Sequence, residues 1–455
     1  MAPAHLRSRA RLFLGSTRPR AVLACSSGLA GGRAGRSSVP RAHVGGGLLG
    51  PGAPGEEWPY NRAISSTSMP APRRFAIVAP NFYPRVCGVG DHSARLGGEL
   101  RRRGHDVRIF SRAPVEPHPE VPTLDVHAVG DGWSMVVAQN IVEAVRVFRP
   151  TDVILQYTAQ MWNAWRFGSP ATIWLATRLR RAGTRVTVIA HELHVPWSVR
   201  PDLSLAAMLQ RLQLAALLRS CDRAFVTTST RAAAAASLCR LLQVDVPGVL
   251  RIGPNVLPTE RDPSRAIDGQ LMSPRIGFFS TAAIGKRFDV VLDAFARIAL
   301  EIPAATLVLI GDLGPPDQPR VREIVAEIAR HPAKDRIRMT GRLSLAEISR
   351  QLSTLDLYLF PMETGANTRS GTLPAALGSG IPTVAVFGRE TDSMLFRHHD
   401  NLVFANGMTG SAFAEASLQL LRDPVLRQRV GQGGRRLYEA HLTWERAADQ
   451  LLADS

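Results

Sequence analysis

The sequence predicts an α/β protein built from two doubly wound parallel sheets that face each other across a cleft. Three observations carry that expectation. Short runs rich in Val, Ile, Leu and Phe alternate with longer amphipathic stretches from residue 74 onward, the alternation lapses near residues 254–273, and it then resumes with the same rhythm. Strand followed by helix, repeated, is the pattern of a parallel sheet covered on both faces. A chain of 455 residues is long enough for two such units at roughly 100–200 residues per domain.

Taken in order, the first unit (residues 69–255) has buried strands at 75–79, 152–156, 185–190 and 224–228, each a run of apolar and β-branched residues. Helices are expected at 91–103, with Asp91 as N-cap, and at 204–219. Residues 256–273 are polar and turn-rich without a surviving period, and are read as the linker. The second unit (residues 274–430) has strands at 275–279, 305–310, 336–339, 356–360 and 383–386, with helical patterns between them. Residues 423–452 read as helices joined near His441-Leu442-Thr443, with residues 431–455 packing back toward the first domain.

Composition narrows the class. At 45% hydrophobic and 20% charged, the chain is neither disordered, nor collagen-like, nor a disulfide scaffold. The net charge of +17 is almost entirely Arg, since Lys286 and Lys334 are the only lysines. Nine of those arginines fall in residues 1–68 against Glu56 and Glu57 alone. That Gly-, Ser- and Pro-rich leader has no pattern able to bury a core, and translation is expected to start at Met69. The four cysteines, Cys25, Cys87, Cys221 and Cys239, form no metal-binding spacing and point to a reducing compartment. No run approaches the ~18 apolar residues of a membrane span.

Ligands of open α/β sheets bind outside the carboxyl ends of the strands. Four segments there carry candidate chemistry. In Cys87-Gly88-Val89-Gly90-Asp91, Gly88 and Gly90 let backbone approach a ligand closely, although a tight capped turn explains them equally. His191, directly after a strand in His191-Glu192-Leu193-His194, suits a sugar hydroxyl or phosphate oxygen, with a hydrogen-bonded structural histidine as the alternative. Lys286 and Arg287 follow Gly285 at a strand-to-helix junction, where two cations can neutralise a diphosphate. The fourth segment, residues 361–382, is the most specific. Glu363 just past a strand can accept two ribose hydroxyls, and Arg369, Ser370, Gly371 and Thr372 offer a cation, hydroxyls and helix-start amides to phosphate.

The order Gly88-Val89-Gly90-Asp91, Arg103-Gly104-His105-Asp106-Val107, His191-Glu192, Gly285-Lys286, Thr340-Gly341-Arg342 and Gly380-Ile381-Pro382, closing on Thr443-Trp444-Glu445, resembles the glycosyltransferases of the GT-B fold, family 4 in particular. The resemblance spans nearly all of residues 74–450. It implies an acceptor-binding first domain, a second domain for a nucleotide-activated sugar, retention at the anomeric carbon and no metal or other cofactor beyond the nucleotide-sugar co-substrate. From their chemistry and position within this pattern, His191, Lys286 and Arg287 are expected to be catalytic, with Arg287 supplying the second positive charge, and Gly88, Gly90, Glu363, Arg369, Ser370, Gly371 and Thr372 to bind the donor, with Glu363 taking the ribose role from a shifted loop. Relatives carry two glutamates where this chain has Asn367 and Ala375, and an Arg where it has Thr281.

The implied partners are a nucleotide sugar and a glycan, lipid-linked or small-molecule acceptor. The expected location is cytoplasmic; the arginines of 101–103 and 178–181 fit either solvated helix faces, the favoured reading, or peripheral contact with anionic headgroups at the inner membrane. Nucleic acid is not expected, because the basic residues are scattered without interleaved aromatics. Two other activities fit the same segments: a sugar-nucleotide-binding protein without transfer, and a GT-B epimerase.

Overall fold

The computed structural model describes residues 71–453 apart from 86, 120, 161, 163–166, 262–270, 272 and 283–284. The leader and the expected start at Met69 lie outside the described residues.

The first sheet is assembled from β1 (Arg74–Val78), β2 (Asp106–Ser111), β3 (Asp125–Ala128), β4 (Asp152–Thr158), β5 (Arg185–Glu192), β6 (Arg223–Val226) and β7 (Gly248–Val249). Its order is β3-β2-β1-β4-β5-β6-β7, with every ladder parallel. Between the strands run α1 (Gly88–Arg102), α2 (Met135–Phe148), α3 (Pro170–Arg181), α4 (Pro201–Ser220) and α5 (Ser229–Leu242). Local signals set the helix starts: Ser134 and Thr228 accept from backbone N–H groups of Val137 and Arg231, and Pro opens α3 and α4. Helices α2 to α5 bury their apolar faces with Val153, Leu155, Val186 and Val188 on one side of the sheet, while α1 covers the other.

The second sheet repeats the plan. It holds β8 (Arg275–Phe279), β9 (Thr306–Ile310), β10 (Ile337–Met339), β11 (Leu357–Phe360), β12 (Thr383–Val386) and β13 (Val403–Ala405) in the order β10-β9-β8-β11-β12-β13, again all parallel. Its helices are α6 (Phe288–Glu301), α7 (Pro319–Arg330), α8 (Leu345–Ser353), α9 (Thr372–Gly378), α10 (Gly410–Arg422) and α11 (Pro424–His441). The two-sheet expectation holds. The strands absent from the sequence reading are β2, β3, β7 and β13, which are short or interrupted by charge and lack the continuous apolar run of a central strand.

The passage between the sheets lies earlier than the expected 256–273. Val256 is already buried in the second domain's core and Ser349 Oγ donates to Leu257 O at 2.7 Å, so the crossing is made at residues 253–255. The chain then crosses back. Helix α11 stays on the second domain, but α12 (Trp444–Ala453) returns and places Trp444, Ala447, Ala448 and Leu451 in the first domain's core beside α1. Arg103 fixes it there, with Nη1 2.7 Å from Asp449 and Nη2 donating to Glu445 O at 2.8 Å. The two crossings touch: Trp444 Nε1 donates to Pro254 O at 3.0 Å.

Candidate functional site

In both sheets the strand order reverses between the first and fourth strands, β1/β4 and β8/β11, which is where an open α/β sheet leaves a crevice. The loops that leave these strands carry most of the candidates, and β5 supplies His191.

At the first switch point, α1 begins at Gly88 with Cys87 as its N-cap, not at Asp91. Asp91 sits in the first turn, where it accepts from Asn255 Nδ2 at 3.0 Å. The two glycines differ in kind. A Cβ on Gly90 would stand 2.9 Å from Asn81 O, so this glycine permits the close approach of the β1–α1 loop, whereas Gly88 is exposed with open space before it.

His191 owes its orientation to a bulge. Tyr157 pairs with Ala190 and Thr158 with Glu192, leaving His191 as the extra residue of β5. Its Nε2 lies 2.7 Å from Gln156 Oε1, which puts the proton on Nε2 and leaves Nδ1 an acceptor. Burial first, then His92 and Arg231, hold its pKa well below the ordinary 6.5, so it is a neutral imidazole at physiological pH. His92 of α1 packs edge-on against it at 4.7 Å and against Trp444 at 5.2 Å.

In the second domain the two switch-point loops are stitched together. Lys286 and Met362 form a backbone bridge, Arg287 N donates to Pro361 O at 3.2 Å, and Glu363 N donates to Gly285 O at 3.0 Å. Gly285 makes the turn possible with φ +88. Lys286 Nζ reaches Phe279 O at 3.4 Å at the end of β8, and no carboxylate pairs with it among the described residues. Burial pulls its pKa down to about 8. The expected partnership with Arg287 is not what the structure has, because that guanidinium is held by Asp289, with Nε 2.9 Å from Oδ1. Glu363 is exposed.

Asn367 is buried and its amide closes the loop on itself, donating to Thr364 Oγ1 at 3.2 Å and Gly365 O at 2.9 Å and accepting from Arg369 N at 3.2 Å. Ala375 is fully buried among Leu352, Leu377 and Ile381. Ser370 and Thr372 hydroxyls lie 3.0 Å apart at the start of α9, with Gly371 as its N-cap. A Cβ on Gly371 would meet Asn255 N at 3.4 Å. The starts of α1 and α9, which carry Gly88, Gly90 and Ser370–Thr372, therefore converge on Asn255.

Arg231 escaped the sequence reading. It is the third residue of α5, its Nη1 donates to Thr227 Oγ1 at 2.7 Å, and Thr368 Oγ1 reaches Thr227 O at 3.5 Å from the other domain. Burial, with Arg369 second, pulls its pKa down to about 10, against Glu192 and Glu390. Arg369 itself lies 3.9 Å from Glu390. The signal was its place just past a strand end, in Thr227-Thr228-Ser229-Thr230-Arg231. Among the described residues no three His, Cys, Asp or Glu side chains converge to hold a metal ion. A depression of about 550 Å³ between α6 and α10 lies on their outer flank, lined by Arg297, Glu301, Glu415 and Arg422, away from the strand ends.

The fold, two facing sheets with their switch points turned to a common cleft, is that of the GT-B glycosyltransferases. Within it, residues 273–423 match the family model described as Glycosyl transferases group 1. No curated protein matches the sequence. Among solved structures, sucrose-phosphate synthase from Thermosynechococcus elongatus is 17% identical with a TM-score of 0.62, covering 84% of this chain and 100% of its own. HepE from Anabaena, in complex with UDP and glucose, is 15% identical with a TM-score of 0.62, covering 84% and 99%. A putative UDP-N-acetylglucosamine 2-epimerase from Listeria monocytogenes is 13% identical with a TM-score of 0.50, covering 84% and 95%. At these identities the likeness is one of fold.

Proposed function

We propose that the protein transfers a hexosyl group from a nucleotide sugar held by the second domain to an acceptor held by the first. The observation that carries this reading is Lys286, a desolvated ammonium without a carboxylate partner among the described residues, at the switch point of the domain that matches the group 1 glycosyltransferases. Breaking a sugar–phosphate bond builds oxocarbenium character on the sugar and negative charge on the departing diphosphate. A cation already stripped of water at the leaving group stabilises that charge without reorganisation. Ser370, Gly371 and Thr372 add hydroxyls and amides, Arg369 a further positive charge, and Glu363 accepts the ribose hydroxyls from its exposed loop. Arg287, committed to Asp289, contributes at longer range.

On the acceptor side, neutral His191 meets the sugar or acceptor hydroxyl through Nδ1, and Gly88 leaves room for backbone to approach the diphosphate. Transfer is retaining and independent of metal in this reading, with the leaving phosphate oxygen taking the acceptor's proton. HepE's complex with UDP and glucose makes UDP-glucose the first donor to try.

The test is a thermal-shift panel of UDP-, GDP- and ADP-sugars on the full chain, repeated with Lys286→Ala and Glu363→Ala. The expected result is one stabilising donor whose effect disappears in both variants, with turnover of Lys286→Ala down by about 100- to 1000-fold. Indifference of the donor's effect to Lys286→Ala overturns the assignment. The self-bonded Asn367 and buried Ala375 favour one second reading, donor binding without transfer; stabilisation without turnover across a broad acceptor panel selects it. Chemical conversion of the donor alone selects an epimerase.

A further inference from the structure

The two domains satisfy their facing arginines unevenly. Arg251, just past β7 in the first domain, reaches the buried Asp392 of the second at 3.3 Å. Arg231 has no such counterpart. Its Nη1 is held on its own side by Thr227 Oγ1 at 2.7 Å, and no carboxylate stands within ion-pair distance of it among the described residues. What it meets from the second domain is another cation. Thr368 Oγ1 donates to Thr227 O at 3.5 Å, which brings the segment carrying Arg369 to the end of β6, and the charge of Arg369 acts on Arg231 more strongly than the opposing charges of Glu192 and Glu390.

The surroundings favour an anion between them. As the third residue of α5, Arg231 puts its charge in the first turn, where the helix dipole repels a cation and attracts an oxyanion. That turn holds no acidic residue and carries the hydroxyls of Thr228 and Thr230, 3.0 Å apart. Both arginines are half-buried, and burial has taken much of the hydration of Arg231. Arg369 is only loosely balanced, with Nη1 3.9 Å from Glu390. Like charges brought together away from water repel. An oxyanion between two guanidinium groups replaces that repulsion with charge-assisted, fork-shaped hydrogen bonds. The place adjoins the proposed reacting centre, since the charge of Arg231 helps keep His191 neutral.

We propose that Arg231 of the first domain and Arg369 of the second form a phosphate clamp that spans the two domains and is closed by the ligand's own charge. The phosphate belongs to a substrate, either the donor's diphosphate or a phosphate group on the acceptor. That assignment to a substrate rests on the transfer reading above; the clamp itself does not. Because its two arginines come from different domains, a bound phosphate holds the domains together where they otherwise repel.

The experiment titrates the full chain with inorganic phosphate and with pyrophosphate in a low-salt buffer, reading melting temperature and calorimetric affinity. Potassium chloride of equal ionic strength is the control, because it screens the repulsion without bridging the arginines. Expected is stabilisation by both anions beyond that of chloride, with pyrophosphate bound about tenfold more weakly by Arg231→Gln and by Arg369→Gln. Without anion, Arg231→Gln should melt no lower than wild type, since it removes the repulsion. A melting temperature lowered equally with and without pyrophosphate marks a structural arginine and overturns the proposal. So does a wild type that responds to pyrophosphate as it does to chloride, or variants with wild-type affinity. Repeating the phosphate titration at a UDP concentration that itself raises the melting temperature separates the sources. A phosphate response lost to UDP assigns the clamp to the donor's diphosphate, and one that persists and still depends on Arg231 assigns it to a phosphorylated acceptor. Arg231-dependent binding of pyrophosphate with no response to any nucleotide sugar keeps the clamp and removes the transferase reading; a Lys286-dependent donor response with pyrophosphate binding indifferent to Arg231→Gln does the reverse.

Discussion

Lys286 and His191 show how burial selects protonation states suited to anion and hydroxyl chemistry. With its pKa down to about 8, the ammonium is present below pH 8 and lost as pH rises through it. An anionic donor needs the charged form, so donor affinity should be flat below pH 8 and fall by up to about tenfold per pH unit above it. It should level off once the donor-bound lysine, with its pKa raised by the anion, titrates too. Titration calorimetry from pH 6 to 10 checks this; an affinity unchanged across that range removes Lys286 from the donor site. In the sequence Lys286 stood out because lysine is so rare, and Glu363 and His191 because they follow strong strands. Arg231 and His92 were not legible in the same way. They are ordinary residues near helix starts, and only the approach of β5, α12 and the second domain gives them meaning.

At the scale of elements, α9 accounts for one of the two carboxylates that the family resemblance implies and this chain lacks, the one at position 375. Its seven residues present Leu373, Ala375, Ala376 and Leu377 to a closed apolar core, which leaves no polar environment at position 375. Restoring the relatives' residue with Ala375→Glu should therefore cost about 3 kcal/mol of stability, by burying a carboxylate without a partner, and should not raise turnover. Urea denaturation alongside an activity assay decides; a fully stable variant with higher turnover contradicts this account of α9. The central strands were legible because a strand buried on both faces is a continuous apolar run. Strand β3 was not, since Asp125-Val126-His127-Ala128 lies at the sheet edge, is only partly buried and carries charge in place of an apolar run. The bulge in β5 leaves no trace in the sequence, because it is a property of pairing between two strands and not of either one.

For the whole molecule, the return of α12 makes the chain's last helix part of its first domain. Trp444 is almost wholly buried there and donates to Pro254 O. Trp444→Ala should destabilise the first domain by about 3–5 kcal/mol and leave the second nearly unaffected. Two urea transitions, of which only one moves, are the expected record; a single unshifted midpoint contradicts it. Periodicity revealed both terminal helices and their break; the expected packing of residues 431–455 on the first domain is seen for α12 but not for residues 431–441, which stay with α11 on the second domain's core, because periodicity does not show which sheet a helix will find. The contact between Trp444 and Pro254 has a mechanical consequence. The two places where the chain passes between the domains are tied side by side, so any swing of one domain against the other pivots at that shared corner, and the far rim of the interface, where Thr368 Oγ1 reaches Thr227 O, is the part free to part first.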